Sequence, residues 1–301
     1  MLTRRFAIRR RAQRTRLETI TTNKVVEVAA DTHGGVLLSD LEARLREHAQ
    51  FRTKIGSFSA ASNITGIIEN VDAVTAMLHT HGALSFWDYA AAAPHSEINM
   101  NPRGDSHTSH KLLAKDAIMF SPHKFPGGPG TPGILMVKKS LIKNAVPSVP
   151  GGGTVFYVNS NGHQYLENLE EREEGGTPDV LGVVRAGLVF QLKAAIGCAA
   201  IRAREQAMTA RFMSELTAVP GIKLLGDTAA DRLPIVTFMI KFKGTAASKE
   251  LPETLAISGN SGHFPVSLSS MPPNVLAGWG TLASCAWCPG ADSGLQIRRC
   301  A

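Results

Sequence analysis

A lysine and an aspartate lie at the ends of two apolar segments of this 301-residue chain. Lys124 follows the apolar run at 117–120 and enters a loop rich in glycine and proline, and Asp88 follows "ALSFW". A lysine near the end of a buried strand is expected to be partly desolvated, and desolvation favours the free amine, which reacts with aldehydes. Enzymes hold pyridoxal phosphate in this way, with an aspartate at the pyridine nitrogen. The pair predicts a site for this cofactor, while a surface lysine and a helix-capping aspartate explain the same residues without one.

Four further polar residues have the chemistry to bind a phosphate and a ring. Ser121 and His123 flank Lys124 and offer O–H and N–H donors to a phosphate. Thr177 stands in "EEGGTPDV" at the start of a long helical pattern, where a helix N-terminus favours an anion. Asn63, in "AASNITG", is able to hydrogen-bond a ring hydroxyl. Simple capping by Thr177 and a turn role for Asn63 explain these two residues equally well.

Strand-like apolar runs alternate with helical patterns over most of the chain. This alternation predicts an α/β fold, a mostly parallel sheet with helices on both faces. In such sheets ligands bind beyond the carboxyl ends of the strands. Three polar loops, at 59–66, 88–95 and 121–130, each follow a predicted strand. We therefore expect these loops to meet at one edge of the sheet.

Three local patterns predict further elements of the fold. The apolar runs at 117–120 and 133–137 are predicted to be neighbouring strands. Asn161-Gly162 between two β-type runs predicts a hairpin. The helical pattern from 179 to 217 predicts two helices, or one helix broken at Gly197.

The basic residues concentrate at the N-terminus. Residues 1–17 hold seven arginines and no acid, which accounts for the whole formal net charge of +7. A mitochondrial transit peptide, a nucleic-acid or membrane-surface arm and a disordered tail all fit this composition. The predicted compartment is therefore cytoplasmic or mitochondrial. Specific nucleic-acid binding is not expected, because this segment lacks the aromatic interleaving that is typical of single-strand binders. No apolar run is long enough to span a bilayer, so we expect a soluble protein without a membrane partner.

The domain prediction has three parts. Residues 1–22 form an arginine-rich N-terminal extension, and 23–220 form a partial cofactor-binding large domain. Residues 221–301 form a small C-terminal α+β domain that is truncated or irregular, because 245–292 show little periodicity and many Ser, Pro and Gly residues.

The cysteines predict neither a disulfide framework nor a metal site. Four cysteines in a chain of this length are too few for a disulfide-stabilised fold. Cys198 lies in a helical pattern and suits a small core residue. Cys285 and Cys288 form a lone C-x-x-C, and a zinc site needs further ligands at suitable spacing.

The order of five motifs resembles the class V aminotransferase group of fold-type-I pyridoxal-phosphate enzymes. This group includes cysteine desulfurases, selenocysteine lyases, kynureninases and isopenicillin-N-epimerase-like proteins. The motifs are "AASNITG", "WDYAAAAPH", "FSPHKFPGGPGTPGIL", "GGGTV" and "REEGGTPDV", within roughly residues 24–243. Each motif alone is weak evidence, but their order and spacing are specific. The resemblance implies the large domain of fold type I and pyridoxal 5'-phosphate as the cofactor.

The resemblance also implies a role for each candidate residue. Lys124 would be the catalytic Schiff-base lysine, and Asp88 would pair with the pyridine nitrogen. By the same resemblance, Asn63 would contact the cofactor ring, and Ser121 and His123 would bind its phosphate. Thr177 would reach the phosphate of the cofactor in the neighbouring subunit. Sites in this family form between the two chains of a homodimer.

The chain departs from the family pattern in several places. Desulfurases of this group carry a glutamine three residues after the aspartate, where this chain has Ala91. In the family, the ring-stacking histidine and the first phosphate loop lie upstream of the region that this chain matches from Lys24 onward. The family's arginine for the substrate carboxylate lies in the small domain. The end "GLQIRRCA" faintly resembles a desulfurase segment "G-I-Q-x-R-x-G-C", although Cys300 receives no catalytic role. We expect the middle of such an enzyme, with weakened cofactor binding.

Two hypotheses follow. The first is a pyridoxal-phosphate-dependent enzyme that acts on an amino acid as a transaminase or a Cα/Cβ lyase such as a cysteine desulfurase, with the freed amine of Lys124 as general base. The alternative is a catalytically inactive relative or fragment that lacks the N-terminal part of the cofactor site and acts as a dimer partner. An absorbance spectrum with added cofactor discriminates the two.

Overall fold

The computed structural model describes residues 5–10, 23–103, 110–241, 254–260 and 263–267, with side chains for 24–103 and 110–239. The strands are β1 (Arg5–Arg10), β2 (Asn23–Val28), β3 (Thr53–Ser59), β4 (Leu84–Asp88), β5 (Ala117–Phe120), β6 (Ile134–Val137), β7 (Val155–Asn159), β8 (Gly162–Tyr165), β9 (Ile222–Leu224), β10 (Ile235–Lys241), β11 (Thr254–Asn260) and β12 (His263–Ser267). The helices are α1 (Leu38–Glu47), α2 (Val71–Thr80), α3 (His110–Leu113), α4 (Leu169–Glu173), α5 (Val180–Ile196) and α6 (Cys198–Thr217).

The first six strands form one sheet in the order β2-β1-β3-β4-β5-β6. Strands β1 to β5 pair in parallel, and β6 runs antiparallel to β5. Parallel neighbours need crossover connections, and α1 and α2 supply them between β2, β3 and β4. The predicted α/β fold with a mostly parallel sheet is confirmed, and so is the predicted pairing of 117–120 with 133–137.

Alternating burial along β3 and β4 builds the centre of the core. Phe58 and Trp87 are paired across the two strands, with ring centroids 5.9 Å apart. The indole N–H of Trp87 donates to Thr75 Oγ1 on α2 at 2.9 Å, which satisfies a fully buried polar group. Val74 and Leu78 on the same helix have no exposed surface. Helix α2 therefore covers this face of the sheet.

The N-terminal segment contributes a strand that the sequence did not predict. Arg5–Arg10 forms β1, which lies between β2 and β3 and pairs in parallel with both. The sequence places residues 5–10 in an arginine-rich N-terminal extension, whereas the structure places them inside the central sheet. The short apolar run at 6–8 is flanked by arginines, so charge composition concealed a strand. The predicted compartment, cytoplasmic or mitochondrial, stays a prediction.

The predicted hairpin and helix break are confirmed. Strands β7 and β8 pair antiparallel with Asn159 opposite Gly162. Helices α5 and α6 meet at Gly197 at an angle of 75°. Over the described ranges no single helix is long and apolar enough to cross a membrane, and only α5 and α6 taken together across this bend reach that length and composition.

Strands β9 to β12 form a separate antiparallel sheet in the order β12-β11-β10-β9. Helix α6 covers it, where Leu216 packs with Val236 and Phe238 of β10. Residues 245–292 were expected to be irregular, but 254–260 and 263–267 within them pair as strands. Glycine, serine and proline in these strands weaken the alternation that identifies a strand in a sequence.

A buried carboxylate joins four elements at the amino edge of β4 and β5. Asp116, 4% exposed, accepts hydrogen bonds from His79 Nε2, Lys138 Nζ and Ser85 N, each at 2.8 Å. Burial alone would raise the pKa of Asp116, but the hydrogen bonds from His79, Lys138 and Ser85 outweigh it and lower the pKa to about 2.

We expect Asp116→Asn to lower the free energy of unfolding near neutral pH by about 2 kcal/mol, because the pKa falls from 3.8 to about 2 on folding. A depressed carboxyl pKa stabilises the fold above the unfolded pKa, and this contribution is lost as the pH falls through the folded one. The difference between variant and parent should therefore shrink between about pH 4 and about pH 2 in urea unfolding. Glu215→Gln, at an exposed carboxylate of α6, is the control. A difference that does not change with pH would contradict the assignment.

Candidate active site

The carboxyl ends of β3, β4 and β5 lie side by side. Asp88 is the register partner of both Ser59 and Met119. The Ala60 N–H donates to Asp88 O at 2.9 Å, and the Tyr89 N–H donates to Met119 O at 2.7 Å, so the pairing continues to the first residue of each loop. The expectation that the three polar loops meet at one edge of the sheet is confirmed.

Asp88 is half-buried and holds the turn that follows β4. Its Oδ1 accepts the N–H of Ala90 at 2.7 Å, and the turn continues with the Ala93 N–H donating to Tyr89 O at 2.7 Å. No helix begins in the described residues 89–103, so Asp88 caps a turn and is not the helix cap that the sequence offered as an alternative. This hydrogen bond occupies one carboxylate oxygen, and among the described residues no donor bonds the other, Oδ2.

Lys124 ends a short 3₁₀ turn, Pro122–Lys124, directly after β5. The side chain is exposed, so the expected partial desolvation of this lysine is wrong. The turn, closed by the Lys124 N–H donating to Ser121 O at 3.0 Å, lifts the lysine out of the sheet. Ser121 is half-buried and His123 is exposed, so both side chains next to the lysine are accessible to a ligand.

The glycine-rich loop after Lys124 folds back on its own backbone. A Cβ at Gly128 would lie 2.0 Å from Pro122 O and 2.9 Å from Phe125 O. The Gly128 N–H donates to Phe125 O at 2.9 Å. Only a residue without a side chain permits this approach, so the loop's glycine content serves a close turn behind the lysine.

Helix α5 packs against this loop and fixes it from outside. Arg185 Nη1 donates to Pro129 O at 2.7 Å. The ring of Phe190 contacts Phe125 edge-on, at 5.1 Å between centroids, and Phe120 at 5.6 Å. The sequence reasoning missed these residues and Lys193 of the same helix. The signal that could have found Lys193 is its place on the helical stripe of small and apolar residues.

Asn63 lies exposed in the turn after β3, and the turn is held by neighbouring groups. Ser62 Oγ accepts the Thr65 N–H at 3.1 Å. Two side chains from the region of β10 bond the backbone of the same turn: Arg232 donates to Thr65 O and Thr237 donates to Ile64 O. The small sheet therefore positions the loop that presents Asn63, and the sequence reasoning did not identify this link.

Thr177 belongs to the loop that precedes α5. It is exposed, three residues before α5, and the neighbouring Gly176 N–H donates to Gly152 O at 2.8 Å. The helix begins with Asp179 as its cap, whose Oδ1 accepts the Gly182 N–H at 2.9 Å. Asp179 therefore takes the capping position that the sequence offered to Thr177 as an alternative, and Asp is a preferred cap. The predicted role of Thr177 in binding a phosphate stays a prediction.

The gathered side chains match the functional groups of pyridoxal phosphate. The exposed amine of Lys124 suits its aldehyde. The hydroxyl of Ser121 and the imidazole of His123 suit a phosphate, and the carboxylate of Asp88 suits a protonated pyridine nitrogen. The donor set therefore fits this cofactor.

No group of three or more His, Cys, Asp or Glu side chains in the described part of the chain is arranged to hold a metal ion. Cys285, Cys288 and Cys300 lie outside the described residues. Cys198, at the start of α6, is a free thiol that is half-buried.

The family model named Aminotransferase class-V matches residues 11–272. A probable cysteine desulfurase from Halalkalibacterium halodurans is 28% identical over 208 residues, which cover 69% of this chain and 47% of that protein. A cysteine desulfurase from Synechococcus elongatus is 27% identical over 236 residues, or 78% of this chain and 35% of that protein. The chain thus spans less than half the length of these two relatives.

Solved structures with the same fold are also cysteine desulfurases. The apo enzyme from Thermococcus onnurineus NA1 superposes with a TM-score of 0.66 at 23% identity, over 80% of this chain and 57% of that one. A cysteine desulfurase from Escherichia coli gives a TM-score of 0.63 at 20% identity, with the same coverage. These likenesses confirm the predicted fold class.

We expect Gly128→Ala to destabilise the chain by roughly 1–3 kcal/mol, because the new methyl group would overlap the backbone oxygen of Pro122. Gly133→Ala is the matched control from the same loop, since its Cβ would have no neighbour closer than Phe120 O at 4.0 Å. Urea unfolding of both variants measures the difference. Equal stability of the two variants would show that the loop does not fold back on Pro122.

Proposed function

This chain belongs to the aminotransferase class-V family, and we propose that it acts on an amino acid as a pyridoxal-phosphate-dependent enzyme, either a transaminase or a cysteine desulfurase-like lyase. Enzymes of this family use pyridoxal 5'-phosphate. The observation that carries the proposal is that adjacent strands β4 and β5 bring the turn of Asp88 beside the loop of Lys124. The desulfurase relatives support the lyase alternative.

We propose a role for each side chain at this edge. Lys124 would hold the cofactor at its aldehyde carbon as the Schiff-base lysine, and its exposed amine is accessible to that group. The carboxylate of Asp88 would pair with the ring nitrogen and keep it protonated. Ser121 and His123 donate to the phosphate, and Asn63 contacts the ring.

When bound, the cofactor withdraws electrons from the substrate α-carbon and thereby acidifies its proton. The amine of Lys124, once free, accepts that proton at Nζ as a general base. The Asp88 turn is fixed by its own capping hydrogen bond, so the carboxylate needs little reorganisation to hold its charge near the ring.

We further propose that the active form is a homodimer. Helix α5 exposes apolar side chains along one side, including Leu181 (79% exposed) and Leu188 (57%), and the β7–β8 hairpin exposes Phe156 (75%). Exposed apolar surface of this kind is typical of an interaction site. Thr177 precedes the same helix and is exposed. In a dimer that docks through this helix, we propose that Thr177 of one copy reaches the phosphate site of the other copy.

The first experiment is an absorbance titration with pyridoxal phosphate, followed by borohydride reduction and peptide mapping. We expect a visible band and a reduced adduct on the peptide that contains Lys124, both lost in Lys124→Ala. Lys139→Ala is the matched control, because Lys139 is also exposed and also lies in a 3₁₀ turn. An amino-acid screen that includes cysteine then separates the transaminase from the lyase.

Absence of the band, or label spread over surface lysines, would overturn the enzyme proposal and favour the catalytically inactive relative. A band with the adduct on Lys124 but no turnover of any amino acid would leave cofactor binding established and remove the catalytic part of the proposal.

For the dimer, we expect Leu188→Asp to raise the dissociation constant at least about tenfold, because a carboxylate would be buried against apolar surface. Sedimentation equilibrium of the parent and the variant measures this. Gln206→Asp, which adds the same charge to an exposed position of α6, is the control. A parent that sediments as a monomer would contradict the proposal.

A further inference from the structure

Lys193 of α5 is a buried lysine within the core stripe of its helix. It is 8% exposed and lies in register with Gly182, Ala186 and Val189, the other buried residues of α5. A lysine in such a position is rare, because its ammonium group must find partners inside the protein. The partners of Lys193 are therefore informative.

The first partners are two carbonyl oxygens in the segment that follows Asp88. Lys193 Nζ donates to Ala93 O at 2.6 Å and to Ser96 O at 2.5 Å. These residues belong to the turn that Asp88 starts, since the Ala93 N–H donates to Tyr89 O at 2.7 Å. The ammonium group thus fixes the backbone of residues 88–96, which are called the Asp88 segment below.

The second partner belongs to the Lys124 loop. Lys193 Nζ lies 5.3 Å from the centroid of the Phe125 ring, within the range of a cation–π interaction. Phe125 is 2% exposed, directly follows Lys124, and its N–H donates to Pro122 O at 2.9 Å. Its ring also packs against Phe190 of α5. Movement of Phe125 would therefore carry the backbone of Lys124 with it.

We propose that Lys193 is a positioning residue that sets the Asp88 segment and the Lys124 loop at the spacing that one cofactor molecule requires. Lys193 touches neither the cofactor nor the substrate in this assignment. The inference rests on the proposed function, because it concerns the same site.

The chemistry of the residue supports this role. An apolar side chain would fill the space but leave the oxygens of Ala93 and Ser96 without the donor they now have. Burial lowers the pKa of Lys193, and the nearby Cys198 and Glu97 oppose that effect. The two carbonyl partners and the ring all favour the ammonium form.

The test compares Lys193→Met with Lys54→Met. Methionine keeps the length of the side chain and removes the donors. Lys54 is the matched control, because it is also 8% exposed and donates to a backbone oxygen, Phe51 O at 3.3 Å, near the amino end of β3 and so at the opposite end of the strand from the site. Backbone amide hydrogen exchange is measured first, on the full chain without ligand. We expect exchange at both segments, 93–96 and 124–125, to quicken at least about tenfold in Lys193→Met and to stay unchanged in Lys54→Met.

Two probes then separate positioning from general loss of structure. In the proposed site pyridoxamine phosphate would contact both Asp88 and the Lys124 loop, whereas inorganic phosphate would contact only Ser121 and His123. We expect Lys193→Met to bind pyridoxamine phosphate about tenfold more weakly and inorganic phosphate within about twofold of the parent, because only the first ligand depends on the spacing. Lys54→Met should alter neither affinity.

Phe125→Leu removes the aromatic ring that Lys193 contacts in the Lys124 loop. This variant decides whether that contact positions the loop if Lys193→Met does not fold. It should weaken pyridoxamine phosphate binding and leave exchange at 93–96 unchanged, because the carbonyl contacts of Lys193 remain.

The outcomes are distinguishable. A parent that binds no pyridoxamine phosphate overturns the proposed function, and with it the positioning role, whereas the exchange result still decides whether Lys193 joins the two segments. Exchange that is unchanged at either segment in Lys193→Met, or equal weakening of both probes, overturns the inference even where the parent binds the cofactor.

Discussion

Parallel pairing of β4 with β3 and β5 is the constraint on which the site depends. Its hydrogen bonds run into the first residue of each loop, so Ala60, Asp88 and Tyr89 have no freedom of register. A slip by one residue would turn every side chain of a strand to the other face. The buried pair of Phe58 and Trp87 opposes such a slip, because it would move both rings out of the core. The packing of the core thereby determines where the carboxylate of Asp88 lies.

Beyond the strands, cations on backbone oxygens hold the loops. Lys193 bonds the turn after β4, Arg185 bonds the loop after β5, and Arg232 bonds the turn after β3. Loops at a sheet edge leave carbonyl groups that no strand pairs, and each needs a donor when it is buried. Long cationic side chains from α5 and from the small sheet supply these donors. Three loops that are far apart in the chain are thus fixed by the same chemistry.

Helix α5 has one buried side and one exposed apolar side. One side carries the stripe that includes Val189 and Lys193 and packs on the Lys124 loop, and the other exposes apolar residues such as Leu181. A helix that is apolar nearly all round is typically buried on every side. If a second copy covers the exposed side, dimer formation and the geometry of the cofactor loop become linked through one rigid element.

The sequence by itself determined the fold class, the hairpin, the helix break and the identity of the polar residues around Lys124, because periodicity, turn chemistry and motif order are local properties. It missed β1 because arginines surround a short apolar run, and it missed β11 and β12 because glycine, serine and proline hide their alternation. It also misjudged the burial of Lys124, because a 3₁₀ turn after β5 lifts that side chain into solvent. Only the tertiary structure decided which distant groups hold the loops. Contacts such as Lys193 with Ala93, or Arg232 with Thr65, join residues 100 and 167 positions apart, and such pairing depends on three-dimensional packing that no local pattern encodes.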